Sequence, residues 1–216
     1  MIIDLSHRLE PDMPSYPGLP APKFHTFLAH GDAARHANYG PGTSFQIGWY
    51  EVGNTGTYLD APLHRWPEGA DLADVPIERL VNLPGIRITA PEDGPIESRI
   101  FGEAAVRGKA VLVHTGWAKR WGSEGYFRSG PFLTASACEH LVHSGVALVG
   151  IDCANIDNMQ DPARPAHSLL LKAGIPIVEH LRGLEEVPDG AFRFFAPPPA
   201  IRGGTSFPVR AFALTD

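Results

Sequence analysis

The sequence predicts a mixed α/β domain, and three observations carry that prediction. Apolar runs with strand character outnumber helical ones. A helix-period segment falls between two of those runs. In addition, 23 glycines and 21 prolines supply the turns that join many short elements. With 216 residues and 23.3 kDa the chain has the size of one domain able to bury a real core, and it is read as a single domain over 1–216.

The first 43 residues, which contain PSYPGLPAP, read as ordered loop draped over the fold. Residues 44–52, SFQIGWYEV, alternate Phe45, Ile47 and Trp49 against Gln46 and Tyr50, the period of a half-buried strand. The runs KAVLVHT (109–115) and GVALVGID (145–152) are β-branched, apolar and bounded by glycine or polar residues, as buried strands are. Between them TASACEHLVHS (134–144) reads as a helix. Thr134 or Ser136 would cap it, Ala137, Leu141 and Val142 fall at helical spacing, and Gly145 stops it. A polar loop, the segment LLLKAG and a short strand ending at Glu179 follow. AFRFFAPPPA and FPVRAFAL supply two further strand candidates.

Composition excludes several classes of function. A formal charge of −6 and a pI near 5.9 leave no basic footprint for nucleic acid. No apolar segment approaches the roughly 20 residues that cross a bilayer, and MIIDLSHRLEPDM has no signal-peptide pattern. Two cysteines, Cys138 and Cys153, make no disulfide framework, and Cys153 reads as a small buried thiol. A cytoplasmic protein acting on a small molecule, with neither nucleic-acid nor membrane partner, is the expectation.

The chemistry concentrates in GNTGTYLDAPLH (53–64) and in two later residues. Asp60 and His64 lie in this stretch, His167 precedes LLLKAG, and Glu179 closes IPIVE. Two carboxylates and two imidazoles presented at the ends of rigid strands suit zinc or manganese. Each also has a plainer reading. Asp60 before Ala-Pro is a turn former, His64 beside Arg65 and Trp66 a surface histidine, His167 a helix cap, and Glu179 a partner for His180 or Arg182. His140 and His143 stand three apart on the expected helix, where a solvated face is the simpler reading than a metal pair. His25, His30 and His36 are given no role. Phe24, Tyr50 and Trp117 read mostly as core, and Trp66 as core or pocket wall.

These residues carry a resemblance. The chain resembles the cyclase family, metal-dependent hydrolases that include bacterial kynurenine formamidase and isatin hydrolase, whose hallmark is H-x-G-T-H-x-D-x-P-x-H. Gly56, Thr57, Asp60, Pro62 and His64 fit that pattern in register. IIDLSHRLEPDMPSYPG, VLVHTGW, LVGIDCANID, AHSLLLKAGIPIVEHLRGLEEV and GGTSFPVRAFAL resemble further family segments, so the likeness runs from about residue 3 to about residue 213. It implies a swivelling β/β/α domain, a mixed sheet with flanking helices. It also implies a homodimer or homotetramer and a hydrolase acting on the C–N bond of a small amide, formamide or lactam.

By the same resemblance Asp60, His167 and Glu179 are metal ligands and His64 is the proton-transfer group. Two positions depart from the hallmark: Asn54 and Tyr58 stand where its first two histidines should be. Asparagine is a poor zinc ligand, and a tyrosine hydroxyl with a pKa near 10 ligates only once deprotonated. The expected cofactor is therefore one zinc or manganese ion, or none, with Asn54 and Trp66 shaping the site. A second reading makes Tyr58 and His64 an acid/base pair in a metal-independent cyclase or dehydratase. A third makes the chain a homologue that binds a small molecule without turning it over.

Overall fold

The computed structural model describes every residue except 33, 34, 36–38, 41, 42, 103, 104 and 216. In chain order the strands are β1 (Ile2–Asp4), β2 (Lys23–Leu28), β3 (Ile47–Glu51), β4 (Tyr58–Asp60), β5 (Leu83–Thr89), β6 (Pro95–Ile96), β7 (Ala110–His114) and β8 (Phe132–Leu133). Helix α1 (Ala135–Ser144) and β9 (Leu148–Ile151) come next, then α2 (Pro165–Lys172) and β10 (Ile177–Glu179). Strands β11 (Phe192–Phe195), β12 (Ser206–Pro208) and β13 (Phe212–Leu214) complete the described elements.

Nine strands form one mixed sheet in the order β1-β13-β11-β5-β7-β9-β10-β4-β12. Its centre, β5-β7-β9-β10, is parallel, and antiparallel strands extend it on both sides. The α/β class with a mixed sheet and few helices is as expected. Strand alternation divides the core in two. Val111, Val113, Val149, Ile151 and Ile177 pack under α1 and α2, while Ala110, Leu112, Leu148, Leu59 and Val178 pack with Ile3, Phe194 and Ala213. Burying a side chain such as Leu112 completely is worth about 1.5–3 kcal/mol, so the continuous apolar runs of β7 and β9 anchor both layers.

Helix α1 starts and stops as the sequence dictates. Thr134 Oγ1 accepts the Ala137 N–H at 3.3 Å, and Gly145 at φ 71° closes the last turn. Its two histidines form no metal group among the described residues; His140 instead stacks on Phe101. Trp117 and Cys153 are buried as expected.

Other expectations need correcting. The amino-terminal region is not loop throughout, because it supplies β1 and β2. The expected half-buried strand at 44–52 is β3, every residue of which is exposed. Among the described residues it pairs with β2 alone, in a two-stranded arm separate from the large sheet, so alternation reports two open faces. Phe24 and Tyr50 lie on this arm at 37% and 66% exposure rather than in the core. FPVRAFAL divides into β12, which ends at Pro208 beside β4, and β13, which begins at Phe212 and pairs with β1 and β11. His36 lies outside the described residues. Among the described residues no helix is long and apolar enough to cross a membrane.

Candidate active site

Strand register builds the floor of the site. Strand β4 lies between β10 and β12, with Asp60 opposite Ile177 and Ser206, and Tyr58 opposite Glu179 and Pro208. Alternate residues share a face, so Tyr58, Asp60 and Glu179 project together toward α2 while Leu59 and Val178 enter the opposite core layer. The heart of GNTGTYLDAPLH is therefore a buried strand rather than a loop after one. Gly56 turns the chain into it at φ 61°, where an added Cβ would come within 2.7 Å of Leu9 Cδ2.

Asp60 is wholly buried. Its Oδ1 accepts from Ser206 Oγ and, at 3.4 Å, from Asn54 Nδ2, but its Oδ2 has no hydrogen-bond partner. That orphan oxygen faces His167 Nε2 at 3.6 Å. His167 sits in the first turn of α2, and its Nε2 is also 3.9 Å from Glu179 Oε1. The ring is held from behind: Nδ1 lies 2.6 Å from Asp157 Oδ2. Asp157 also accepts the backbone N–H groups of Ala166 and His167, so one carboxylate caps α2 and aims the imidazole. Glu179 accepts the Ile156 N–H at 2.6 Å on Oε1 and the Tyr58 hydroxyl at 2.5 Å on Oε2. His64 ends a 3-10 turn, Pro62–His64. Its Nδ1 is 3.0 Å from Ser206 Oγ and 3.7 Å from Asp60 Oδ1, and its side chain is 33% exposed.

The electrostatics follow from burial and neighbours. Burial pushes the Glu179 carboxyl up to about 7, against the pull of His167 and with help from Asp60. Burial, then the Glu179 and Asp60 charges, raise the Tyr58 hydroxyl well above its ordinary value. Burial would depress His167, but its bonds to Asp157 and Asp60 outweigh that and lift it to about 10. Asp60 stays below the usual carboxylate range despite burial because His167 and His64 favour its charge. Behind this floor His180, at φ 57°, meets the Tyr126 hydroxyl at 3.1 Å. Burial, then the neighbouring His7, hold it neutral at about 3.

In the metal-free protein the His167 ring, lifted to about 10, supplies the positive charge between these carboxylates, and a bound metal ion would take the place of its proton. Donor atoms of Asp60, His64 and His167 all lie within 4.8 Å of one another, and Asp60 Oδ2 is an unsatisfied buried anion aimed among them. Such an oxygen costs about 1–3 kcal/mol or more unless a cation completes it. A hard or borderline divalent ion fits this oxygen–nitrogen set.

A cavity of about 490 Å³ opens above the floor. Asn54, Tyr58, His64, His167 and Glu179 line its base, and Tyr16, Asn155 and Arg164 stand on its walls. Asn54 is thus in the site, whereas Trp66 does not line this cavity. Its indole N–H donates to Ser168 O at 3.0 Å, and Lys172 lies over its ring, so it braces α2 from outside. The sequence reasoning brought together Asp60, His64, His167, Glu179, Asn54 and Tyr58. It missed Asp157, Ser206 and Arg164. The signal for Asp157 was a carboxylate at the end of LVGIDCANID, ten residues before His167; Ser206 sits in GGTSFPVRAFAL, which drew attention only as a strand.

A buried carboxylate–imidazole floor with an orphan oxygen, under an open cavity, defines a site of the class that can hold a metal ion beside a small-molecule ligand. Comparison with known proteins gives the family. The profile of the Cyclase family, described as "Putative cyclase", matches residues 3–158. Kynurenine formamidase from Maricaulis maris is 31% identical over 215 residues, covering 96% of this chain and 95% of its own. An isatin hydrolase solved with the product analogue thioisatinate superposes with a TM-score of 0.83 at 25% identity, over 99% of this chain and 92% of that one. A structure described as a potential metal-dependent hydrolase with cyclase activity gives 0.79 at 25% identity, over 99% and 96%. The chain belongs to the Cyclase family and is a hydrolase of that family acting on non-peptide C–N bonds.

Proposed function

We propose that the chain hydrolyses the C–N bond of a small amide, formamide or lactam over the Asp60–His167 floor, using one zinc or manganese ion. The observation that carries this reading is Asp60 Oδ2, fully buried, without a hydrogen bond, 3.6 Å from His167 Nε2. Asp60 and His167, 3.6 Å apart, would hold the ion with Glu179, 3.9 Å from His167, as third ligand; His64 is the other donor in reach, since Asp60, His64 and His167 all lie within 4.8 Å of one another. When bound, such an ion lowers the pKa of a water toward ~7 and polarises a carbonyl.

The chain's own residues supply the rest. Asp157 fixes the tautomer and direction of His167. The Tyr58 hydroxyl and the Ile156 N–H hold the Glu179 carboxyl in place. His64, at the exposed edge of the floor and tethered to Ser206, carries a proton to the leaving nitrogen. The metal-independent reading is not favoured. The Tyr58 hydroxyl is already donated to Glu179, and its raised pKa opposes ionisation. Acid–base catalysis alone gives about 10²–10⁴-fold, too little for an ordinary amide. The formamidase relative and a cavity of about 490 Å³ support an aromatic formamide or comparable small amide as substrate.

Two further parts of the proposal concern context. Both cysteines are free and buried, which supports a reducing, cytoplasmic setting. The β2–β3 arm exposes Phe24, Phe27, Ile47, Trp49 and Tyr50, and a two-stranded hairpin is marginal alone in water, which supports a homo-oligomer in which a second copy covers it.

Metal analysis of protein purified without chelator tests the central reading. About one equivalent of zinc or manganese is expected in the wild type and in His64→Ala, with turnover lost in the latter. Loss of the ion in His64→Ala would make His64 a ligand and remove its proton-transfer role. Turnover that survives complete chelation would overturn the metal reading.

A further inference from the structure

The wall of the cavity carries a feature the hydrolytic chemistry does not use. Arg164 precedes α2 in the left-handed region, at φ 46° and ψ 61°, which is uncommon for a residue with a long side chain. Its side chain is half-buried and lines the cavity over the catalytic floor. It donates from Nη1 to Asn155 Oδ1 at 3.3 Å, and from Nη2 to Tyr16 Oη at 3.1 Å and Met159 O at 3.4 Å. These are neutral acceptors at long range, and among the described residues no carboxylate pairs with this guanidinium. A guanidinium has five N–H donors in a fork matched to a carboxylate, so Arg164 retains capacity for one.

Its position sets what that carboxylate must belong to. Arg164 immediately precedes α2, whose first turn carries His167, and both side chains line the same cavity. Arg65 adds a second cation at the mouth, with its Nε on Ser168 Oγ and one Nη on Ala163 O. The cavity is therefore polarised, with Glu179 at its base and the Arg65 and Arg164 guanidinium groups on its lining. A neutral ligand would leave that wall unused.

We propose that Arg164 is a specificity residue that binds a substrate carboxylate, so that the amide turned over is an anion whose carboxylate lies within a few bonds of the scissile C–N bond. This rests on the amide-hydrolase reading for the word substrate, but the carboxylate site itself does not depend on turnover. Asn155, Tyr16 and Met159 accept three hydrogen bonds from a guanidinium that has five N–H donors.

Two measurements decide it, using manganese-loaded full-length protein. The first is kcat/KM for 2-formamidobenzoate against its methyl ester in the wild type, Arg164→Gln and Arg164→Lys. The wild type is expected to favour the acid by roughly 10–100-fold, the range of a lost charge-assisted hydrogen bond. The acid-to-ester ratio should collapse toward one in Arg164→Gln and partly return in Arg164→Lys. An unchanged ratio in Arg164→Gln, with both substrates slowed alike, would mean that Arg164 only braces Tyr16 and Asn155, and would overturn the proposal. The second is direct titration with 2-aminobenzoate, followed by its fluorescence. Binding weakened at least 10-fold in Arg164→Gln supports the site even if neither formamide is hydrolysed, an outcome that would sink the hydrolase reading alone. No binding to the wild type, or equal binding to both, would overturn the carboxylate site whatever the turnover.

Discussion

Replacing Asp157 by Asn is the sharpest test of how the floor is held. The substitution keeps the shape and one acceptor oxygen but turns the other into an NH₂ group. Asp157 makes three bonds: to Ala166 N at 2.6 Å, His167 N at 3.1 Å and His167 Nδ1 at 2.6 Å. The amide can keep the first, yet it meets two donors with a third at His167. Losing a buried charge-assisted hydrogen bond costs about 1.5–3 kcal/mol, and losing part of the helix cap about 0.5–1 kcal/mol. The sum is about 2–4 kcal/mol. For a chain of this size that lowers Tm by about 5–15 °C. Metal affinity should fall about 10–100-fold, as it does when a residue supporting a ligand is removed.

The pH dependence of the metal-free protein provides an independent signature. The His167 pKa in the fold is raised from 6.5 to about 10, so its contribution to stability is full below pH 6.5 and is lost as pH rises through 10. Asp157 is the first of its favourable partners, so Asp157→Asn should flatten the decline of Tm between pH 7 and 10. Differential scanning calorimetry across that range, with metal titration at neutral pH, reads both effects. A variant with wild-type metal affinity and an unchanged Tm–pH slope would refute the idea that Asp157 positions His167.

Two other outcomes are expected. Restoring imidazoles with Asn54→His and Tyr58→His should raise the metal content above one equivalent, measured by elemental analysis of the purified double variant. An unchanged content would show that the lining around β4 has also diverged. On the arm, Trp49→Glu should shift the light-scattering mass toward that of one chain while leaving the fold's Tm within about 2 °C. An unshifted mass would remove the arm from any interface.

Legibility in the sequence divides along physical lines. Strands β7 and β9 and helix α1 could be read directly, because their periodicity and caps are local and tertiary structure agrees with them. Asp60 and His64 stood out as residue types in one short stretch, whereas His167 and Glu179 were joined to them as ligands only through the family resemblance. What supports the floor was not legible. Asp157 acts on His167 through a loop whose course no local pattern states, and Ser206 reaches Asp60 across the sheet. The arm misled for the opposite reason. The alternation of Phe45, Ile47 and Trp49 is a true strand signal, but a period of two cannot say whether the apolar face meets a core or open solvent.

The place of Ser206 on β12 has a consequence for how the protein acquires its activity. Tyr58 and Glu179 are 121 residues apart in sequence, and Asp60 and Ser206 are 146 apart. Contacts of that range are entropically expensive to close, and they form late in folding. During synthesis the segment bearing Asp60 emerges long before β10 and β12, and the oxygen that needs a cation has no pocket until both have docked beside it. The centre is thus a product of completed folding rather than a nucleus for it. An ion captured there would act as a lock on the finished sheet, adding stability that grows with the logarithm of one plus its free concentration over its dissociation constant.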